Sequence, residues 1–373
     1  MRRVSLDNPA VIKRYDHSGM INVIASFPEQ CHDAIHIGLK AGIERSFLKS
    51  SYNNIVCTGL GGSAVGADIA RSYIAAKARI PLFVNRDYTL PAFVSEKTLV
   101  VASSYSGNTE ETLSAYKDAK RKGARVVAIT SGGVLKKMAE SDGFPVIVIP
   151  GGMQPRCAVG YSLFTLLGIL SKLGIIKENP AETAEAIEVM RRLRDKILGP
   201  TVKGVSNVAK TIAGRIHGKF PVIYGSQVHL DAVVIRWRGQ FAENAKTLAS
   251  THVFPEMCHN EIAGWQNPSF LSKVFAVIIL RDTGEPMRLS RQIDLTKSIL
   301  NRDGVSVTDV WSSGRGVLAR IFSLAYIGDF VSYYLAILNR CDPTPVEKIA
   351  YLKKITASAS YRCQRRCGKE GMR

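Results

Sequence analysis

Two strand-to-helix turns in the first third of the chain are rich in glycine and hydroxyl residues. One reads Gly59-Leu60-Gly61-Gly62-Ser63-Ala64, the other Ser103-Ser104-Tyr105-Ser106-Gly107-Asn108-Thr109-Glu110-Glu111-Thr112. Each lies where an apolar run ends and a helical pattern begins, the edge at which open α/β sheets bind ligands. The residue types suit a phosphate. A helix start offers unpaired N–H groups and a positive partial charge. Glycine lets the backbone come close. The hydroxyls of Ser63, Ser104, Ser106 and Thr109 add hydrogen bonds without charge. A purely structural role stands beside this one. Asn108 before Thr-Glu-Glu is also an ordinary helix start, and Glu110 and Glu111 would repel a phosphate set too near. The first turn lacks the full G-x-G-x-x-G and the Gly-Lys-Ser/Thr of a P-loop. Spacing alone leaves a phosphate cradle and a structural turn both open.

A second stretch offers acid–base chemistry. It runs from Arg236 to Lys246, with Glu243 within it, and continues from His252 to Trp265. Val234, Trp237, Phe241, Ala245 and Leu248 recur at helical spacing and form the expected buried stripe. At ~100° per residue, Glu243 falls almost opposite that stripe, on a face with Arg236 and Gln240. It is either a solvated carboxylate or a residue lining a cleft. His259 sits in a polar, loop-like segment, as surface histidines commonly do. With Glu256 and Glu261 it suggests a metal, but no second ligand follows at i+3 or i+4. No metal site is expected.

The elements that must position these groups alternate along the chain. Residues 1–50 read as helical. Strands are expected at Asn54–Leu60, Leu82–Asn85, Thr98–Ser103, Arg125–Thr130 and Pro145–Ile149, interleaved with helices at Ala64–Ala76, Thr109–Lys122 and Gly133–Glu140. A helix over Ala158–Leu173 leads to the breaker-rich Gly174–Pro180 and a bridging helix over Glu182–Leu198. The alternation then restarts: strand Phe220–Tyr224, a Gly-Ser-Gln turn, helix Val228–Leu248, strand Lys273–Leu280, a helix near Met287–Leu300, strand Val305–Val310 and helix Val317–Asn339. An amphipathic helix over Pro345–Ile355 closes the pattern. This predicts an α/β protein of two similar doubly wound parallel-sheet subdomains, residues 1–180 and 181–356, with a basic tail over 357–373.

Composition narrows the function. With 46% hydrophobic and 22% charged residues, the 373-residue chain resembles ordinary globular proteins. Apolar runs such as Val274–Leu280 fall short of the ~20 residues of a membrane span, so no membrane association is expected. The opening Met-Arg-Arg precedes no apolar core of a signal peptide, which points to the cytoplasm. Of seven cysteines, five (Cys31, Cys57, Cys157, Cys258, Cys341) lack neighbours at metal or redox spacing, while Cys363 and Cys367 sit in the basic tail as free thiols. The net charge of +19 comes with no zinc finger, helix-turn-helix or aromatic RNA motif. An anionic metabolite, not a specific nucleic acid, is the expected partner.

These stretches also carry a resemblance. Ser104–Thr112 resembles the signature of the sugar isomerase domain, whose loop holds the phosphate of a phosphosugar. Glu243-Asn244-Ala245-Lys246, followed by His259-Asn260-Glu261-Ile262-Ala263-Gly264-Trp265, resembles the bifunctional phosphoglucose/phosphomannose isomerase family. So do Tyr15–Met20, Phe27-Pro28-Glu29-Gln30, Gln154-Pro155-Arg156, and Asp342-Pro343-Thr344-Pro345 through Lys353, so the likeness spans roughly residues 10 to 355. Cys157 and Gly160 depart from the family's usual residues. The resemblance implies reversible aldose–ketose isomerisation through an enediol. Gly61, Gly62, Ser63, Ser104, Ser106 and Thr109 would bind the phosphate. Glu243 would be the base, His259 the ring-opening group, Arg156 the stabiliser of the intermediate, and Lys353 the assisting lysine, with Lys348 and Lys354 close by. Thr344, being small, is a candidate for the room that lets C2–C3 rotate and both epimers react. No metal or redox cofactor is required. A homodimer with a shared site is expected, with His259 entering the partner's cleft and Phe254 and Trp265 as aromatic anchors. An isomerase for glucose 6-phosphate only, or a non-catalytic phosphosugar sensor, remains open.

Overall fold

The computed structural model describes residues 4–356. Two parallel sheets organise them. The first contains β1 (Asn54–Thr58), β2 (Leu82–Asn85), β3 (Thr98–Ser104), β4 (Arg125–Thr130) and β5 (Val146–Val148), in the order β2-β1-β3-β4-β5. The second contains β6 (Phe220–Ser226), β7 (Ser250–Phe254), β8 (Phe275–Arg281) and β9 (Ser306–Trp311), in the order β7-β6-β8-β9. Both sheets therefore place their first strand between the second and the third, as the expected internal duplication requires.

Strand alternation explains why each sheet is covered twice. Ile55, Cys57, Leu99 and Val101 face one apolar cluster, while Val56, Val100, Ala102 and Val126 face another with Tyr116 and Leu135. In the second sheet Ile223, Ile278 and Leu280 join the first of these clusters, and Val222, Tyr224, Val277 and Ile279 build an outer one. One continuous core thus joins an inner face of each sheet through a layer of helices. Phe27–Leu39, Val159–Lys172, Pro180–Leu193, Val208–Ile216, Asp231–Glu243 and Val317–Leu338 form that layer.

Val317–Leu338 is 22 residues long, and an 18-residue stretch of it has mean hydropathy 1.6, apolar enough to cross a membrane, yet 94% of that stretch is buried in the fold. Counting uninterrupted apolar runs misses it. Its start is held from the bridging helix: Arg315 and Gly316 N–H donate to Glu185 at 2.6 and 2.9 Å, and Leu318 N–H donates to Glu182 at 3.2 Å. These carboxylates meet the positive end of the long helix.

Three local expectations differ from the fold. The bridging helix runs Pro180–Leu193 and continues as a π turn over Arg194–Leu198. The helix expected over Val228–Leu248 spans only Asp231–Glu243, and Leu248 is exposed, not part of the buried stripe. The sequence pattern also predicts no strand at Ser250–Phe254. This is an edge strand, partly exposed except at Phe254, so it carries no apolar run. Cys363, Cys367 and the expected tail lie outside the described residues.

Candidate active site

The two hydroxyl-rich turns lie side by side because β1 and β3 are adjacent, with Thr58 opposite Ala102. Gly61, Gly62 and Ser63 open the helix Gly61–Ile74, and Thr109 precedes the helix Glu110–Arg121; neither helix start has a side-chain cap. The Thr109 hydroxyl instead pairs with Ser104 Oγ at 2.9 Å, and Ser104 Oγ accepts from Gly107 N–H at 3.1 Å. Ser106 is exposed, its Oγ accepting from Asn108 N–H at 3.3 Å. The ordinary-cap role considered for Asn108 is not the one it plays. Asn108 Oδ1 accepts from Val134 N–H at 3.0 Å, across the next turn. Gly107 adopts a left-handed φ of 69°, where L side chains are strained.

Gly62 ties this cradle to Arg156. A Cβ on Gly62 would stand 2.3 Å from the Pro155 carbonyl oxygen, so only glycine lets the Pro155–Cys157 turn come so near. Arg156 follows at once and is 4% exposed. Its Nε donates to Asn244 Oδ1 at 2.6 Å, and its Nη2 to the carbonyls of Pro343 and Thr344 at 2.7 and 2.8 Å. Its Nη1 lies 3.4 Å from Glu243 Oε2. Glu243 ends its helix with its side chain 30% exposed. Arg156, Glu243 and the Thr344 turn therefore meet beside the phosphate-type loops. The Thr344 hydroxyl oxygen is buried without a hydrogen-bond partner among the described residues.

Behind this group lies a buried polar layer. Arg236 donates to Asp329 Oδ2 at 2.7 Å and to the Arg156 carbonyl at 3.3 Å, and Gln240 donates to Asp329 Oδ1 at 2.8 Å. Burial pushes the Asp329 carboxyl above its ordinary value while Arg236 pulls it back. Asn244 Nδ2 donates to Ser332 Oγ at 2.9 Å. Lys246, at a left-handed φ of 55°, donates to the carbonyls of Glu243 (2.9 Å) and Asp342 (2.8 Å). Burial lowers its ammonium below the usual lysine value. Sequence reasoning places Asn244 and Lys246 in a motif without giving either a role, and does not name Asp329. The available signal was Asp329 itself, a carboxylate in the middle of a largely apolar helix, which buries only with a partner.

His259 and Lys353 are not brought to this group within one chain. His259 ends the short turn Glu256–His259 and is exposed. Lys353, like Lys348 and Lys354, is exposed on the helix over 347–356. Near His259, Glu256 accepts from Asn260 at 3.0 Å and Glu261 from the Tyr224 hydroxyl at 2.5 Å. Phe254 and Trp265, expected as interface anchors, are buried in their own chain, 0% and 9% exposed. Trp265 donates to Tyr224 and packs edge-on against Phe275, so its apolar area is already covered.

Comparison with known proteins follows the same layout. The SIS domain family model matches residues 48–142, and that of the bacterial phospho-glucose isomerase C-terminal SIS domain matches residues 205–355. A bifunctional phosphoglucose/phosphomannose isomerase of Caldicellulosiruptor bescii is 45% identical over 334 residues, covering 90% of this chain and 98% of its own. One from Aquifex aeolicus is 36% identical, covering 81% of this chain and 90% of its own. In fold, the chain is similar to the crystal structure of a hypothetical protein from Thermus thermophilus, with TM-score 0.73 and 15% identity over 94% of this chain and 93% of that one. Identity of 45% over 90% of the chain and 98% of the relative, with family models matched in both halves, makes the chain a member of the bifunctional phosphoglucose/phosphomannose isomerase family.

Proposed function

We propose that the chain interconverts fructose 6-phosphate with both glucose 6-phosphate and mannose 6-phosphate. The observation that carries this reading is the Arg156–Glu243 pair at 3.4 Å, beside the Pro155 carbonyl that packs on Gly62 of the first glycine–hydroxyl loop. The loops of Gly61, Gly62, Ser63, Ser104, Ser106 and Thr109 hold the phosphate and fix the far end of the sugar. Glu243 takes the proton from C2 of the open aldose and returns it to C1. The developing enediolate charge falls to Arg156, a cation that is itself buried. The enediol is planar at C2, so the epimers differ only in the face that regains the proton. Thr344 leaves room for the C2–C3 rotation that presents either face. No step needs a metal or redox cofactor.

Ring opening is assigned to His259 and Lys353, and both stand exposed in the single chain. The helix carrying Lys353 also exposes Ile349 and Leu352, 39% and 62% exposed, at i and i+3. A twofold partner that covers this face would bring its His259 to the cleft, giving a homodimer with shared sites. The two halves, divided near residue 180, would each give one side of the cleft. Phosphorylated sugars as substrates fit a cytoplasmic setting. Fructose 6-phosphate supplied alone, with glucose 6-phosphate and mannose 6-phosphate read by separate coupled assays, tests the reading. Both products are expected. Glucose 6-phosphate alone would overturn the dual specificity and the role of Thr344, and the absence of both products would overturn the isomerase reading.

A further inference from the structure

We propose that Asn244 is a positioning residue that keeps Arg156 from closing onto Glu243. This rests on the roles just given to Arg156 and Glu243. Arginine and carboxylate prefer a forked, two-bond pairing at ~2.7–2.9 Å. Here they make a single contact at 3.4 Å. The rest of the guanidinium explains it. Of its five N–H groups, the Nε bond goes to Asn244 and both Nη2 bonds to the Pro343 and Thr344 carbonyls. The plane is pinned, and only Nη1 is left toward Glu243.

Asn244 is suited to this by place and by charge. It follows Glu243 directly in sequence, so one short stretch of backbone sets both the base and the acceptor that holds the cation. It is 0% exposed. Its amide is fixed from behind, since Nδ2 donates to Ser332 Oγ at 2.9 Å, and Ser332 Oγ donates to the Asp329 carbonyl at 2.7 Å. An amide oxygen accepts the Nε bond while leaving the guanidinium its full positive charge. An aspartate there would accept the same bond and cancel that charge. The neutral residue type is therefore part of the device: it holds Arg156 still and leaves its charge for the enediolate.

The test separates charge stabilisation from simple binding. Asn244→Asp keeps the shape and adds a negative charge. Two probes are used. A five-carbon aldonate phosphate carries a carboxylate in place of the enediolate oxygens; a six-carbon alditol phosphate has the same phosphate and no such charge. In the folded variant kcat should fall about 10²-fold, and the aldonate phosphate should bind more weakly by a similar factor. The alditol phosphate should hold within about 3-fold, because the phosphate loops are untouched. Equal weakening of both probes, or kcat within about 2-fold of wild type, would overturn the proposal. If Asn244→Asp does not fold, Ser332→Ala decides. It frees the back of the amide and should show the same split between probes at smaller size; an unchanged ratio overturns the proposal. Glu243→Gln run in parallel keeps the two ideas apart. A fully active Glu243→Gln removes the base assignment. An inactive one beside a wild-type-like Asn244→Asp removes only the role of Asn244.

Discussion

At the scale of single residues, the acid–base reading turns on Glu243. Its place opposite the apolar stripe was legible from helical spacing, because Val234, Trp237 and Phe241 bury as that spacing requires. The fate of that polar face was not. Arg236 and Gln240 are buried at 4% and 3% exposure, because Asp329 meets them from another helix far along the chain. A long-range ion pair leaves no local pattern, so the sequence could not show that Arg236 and Gln240 turn inward and not to the solvent. Glu243→Gln tests the base. The amide keeps the size and cannot accept the C2 proton, so kcat should fall by about 10³-fold or more while phosphosugar binding survives. Steady-state kinetics with equilibrium binding check it; near-normal turnover removes the assignment.

At the scale of elements, buried strands and helices were legible and edges were not. β1, β3 and β4 are apolar runs covered on both faces, whereas β7 is a half-exposed edge with polar residues. The bridging helix shows how an element's charges act at a distance. The Arg315 and then the Gly316 N–H groups hold the Glu185 carboxyl below its ordinary value. Burial pushes Glu182 up, but Lys77, Tyr73 and the Leu318 N–H bring it below its ordinary value overall. A carboxyl lowered in the native state binds its proton less readily than in the unfolded chain. Its stabilisation is complete above the unfolded value near 4.5 and is lost as pH falls through the native values. Glu182→Gln/Glu185→Gln should therefore flatten the loss of stability below about pH 4.5. Urea midpoints taken across that range check this; an unchanged slope would show that the long helix does not depend on these contacts.

At the scale of the whole molecule, one core joins two sheets of the same strand order, and the proposed site would draw on both halves: loops and Arg156 from the first, Glu243 and Thr344 from the second. That duplication was legible as a repeated strand, Gly-Ser turn and helix, since turn residues and apolar runs are local signals. The cleft was legible only through the motifs that build it, because its contacts join residues far apart in sequence. His259 stands outside the group in the single chain. Mixing inactive His259→Ala with inactive Glu243→Gln under subunit exchange should restore activity toward half of wild type per mixed dimer, since one site then carries both defects and the other none. Persistent inactivity, with exchange confirmed by native mass spectrometry, would show that each chain carries its own complete site. The most direct test of the central claim follows the proton. Fructose 6-phosphate turned over in D2O should gain deuterium at C1 and yield glucose 6-phosphate and mannose 6-phosphate labelled at C2, with Glu243→Gln giving neither. Turnover of fructose 6-phosphate in D2O by Glu243→Gln at near the wild-type rate, with deuterium entering C1 or C2 as in the wild type, would contradict the account in which this carboxylate moves the proton.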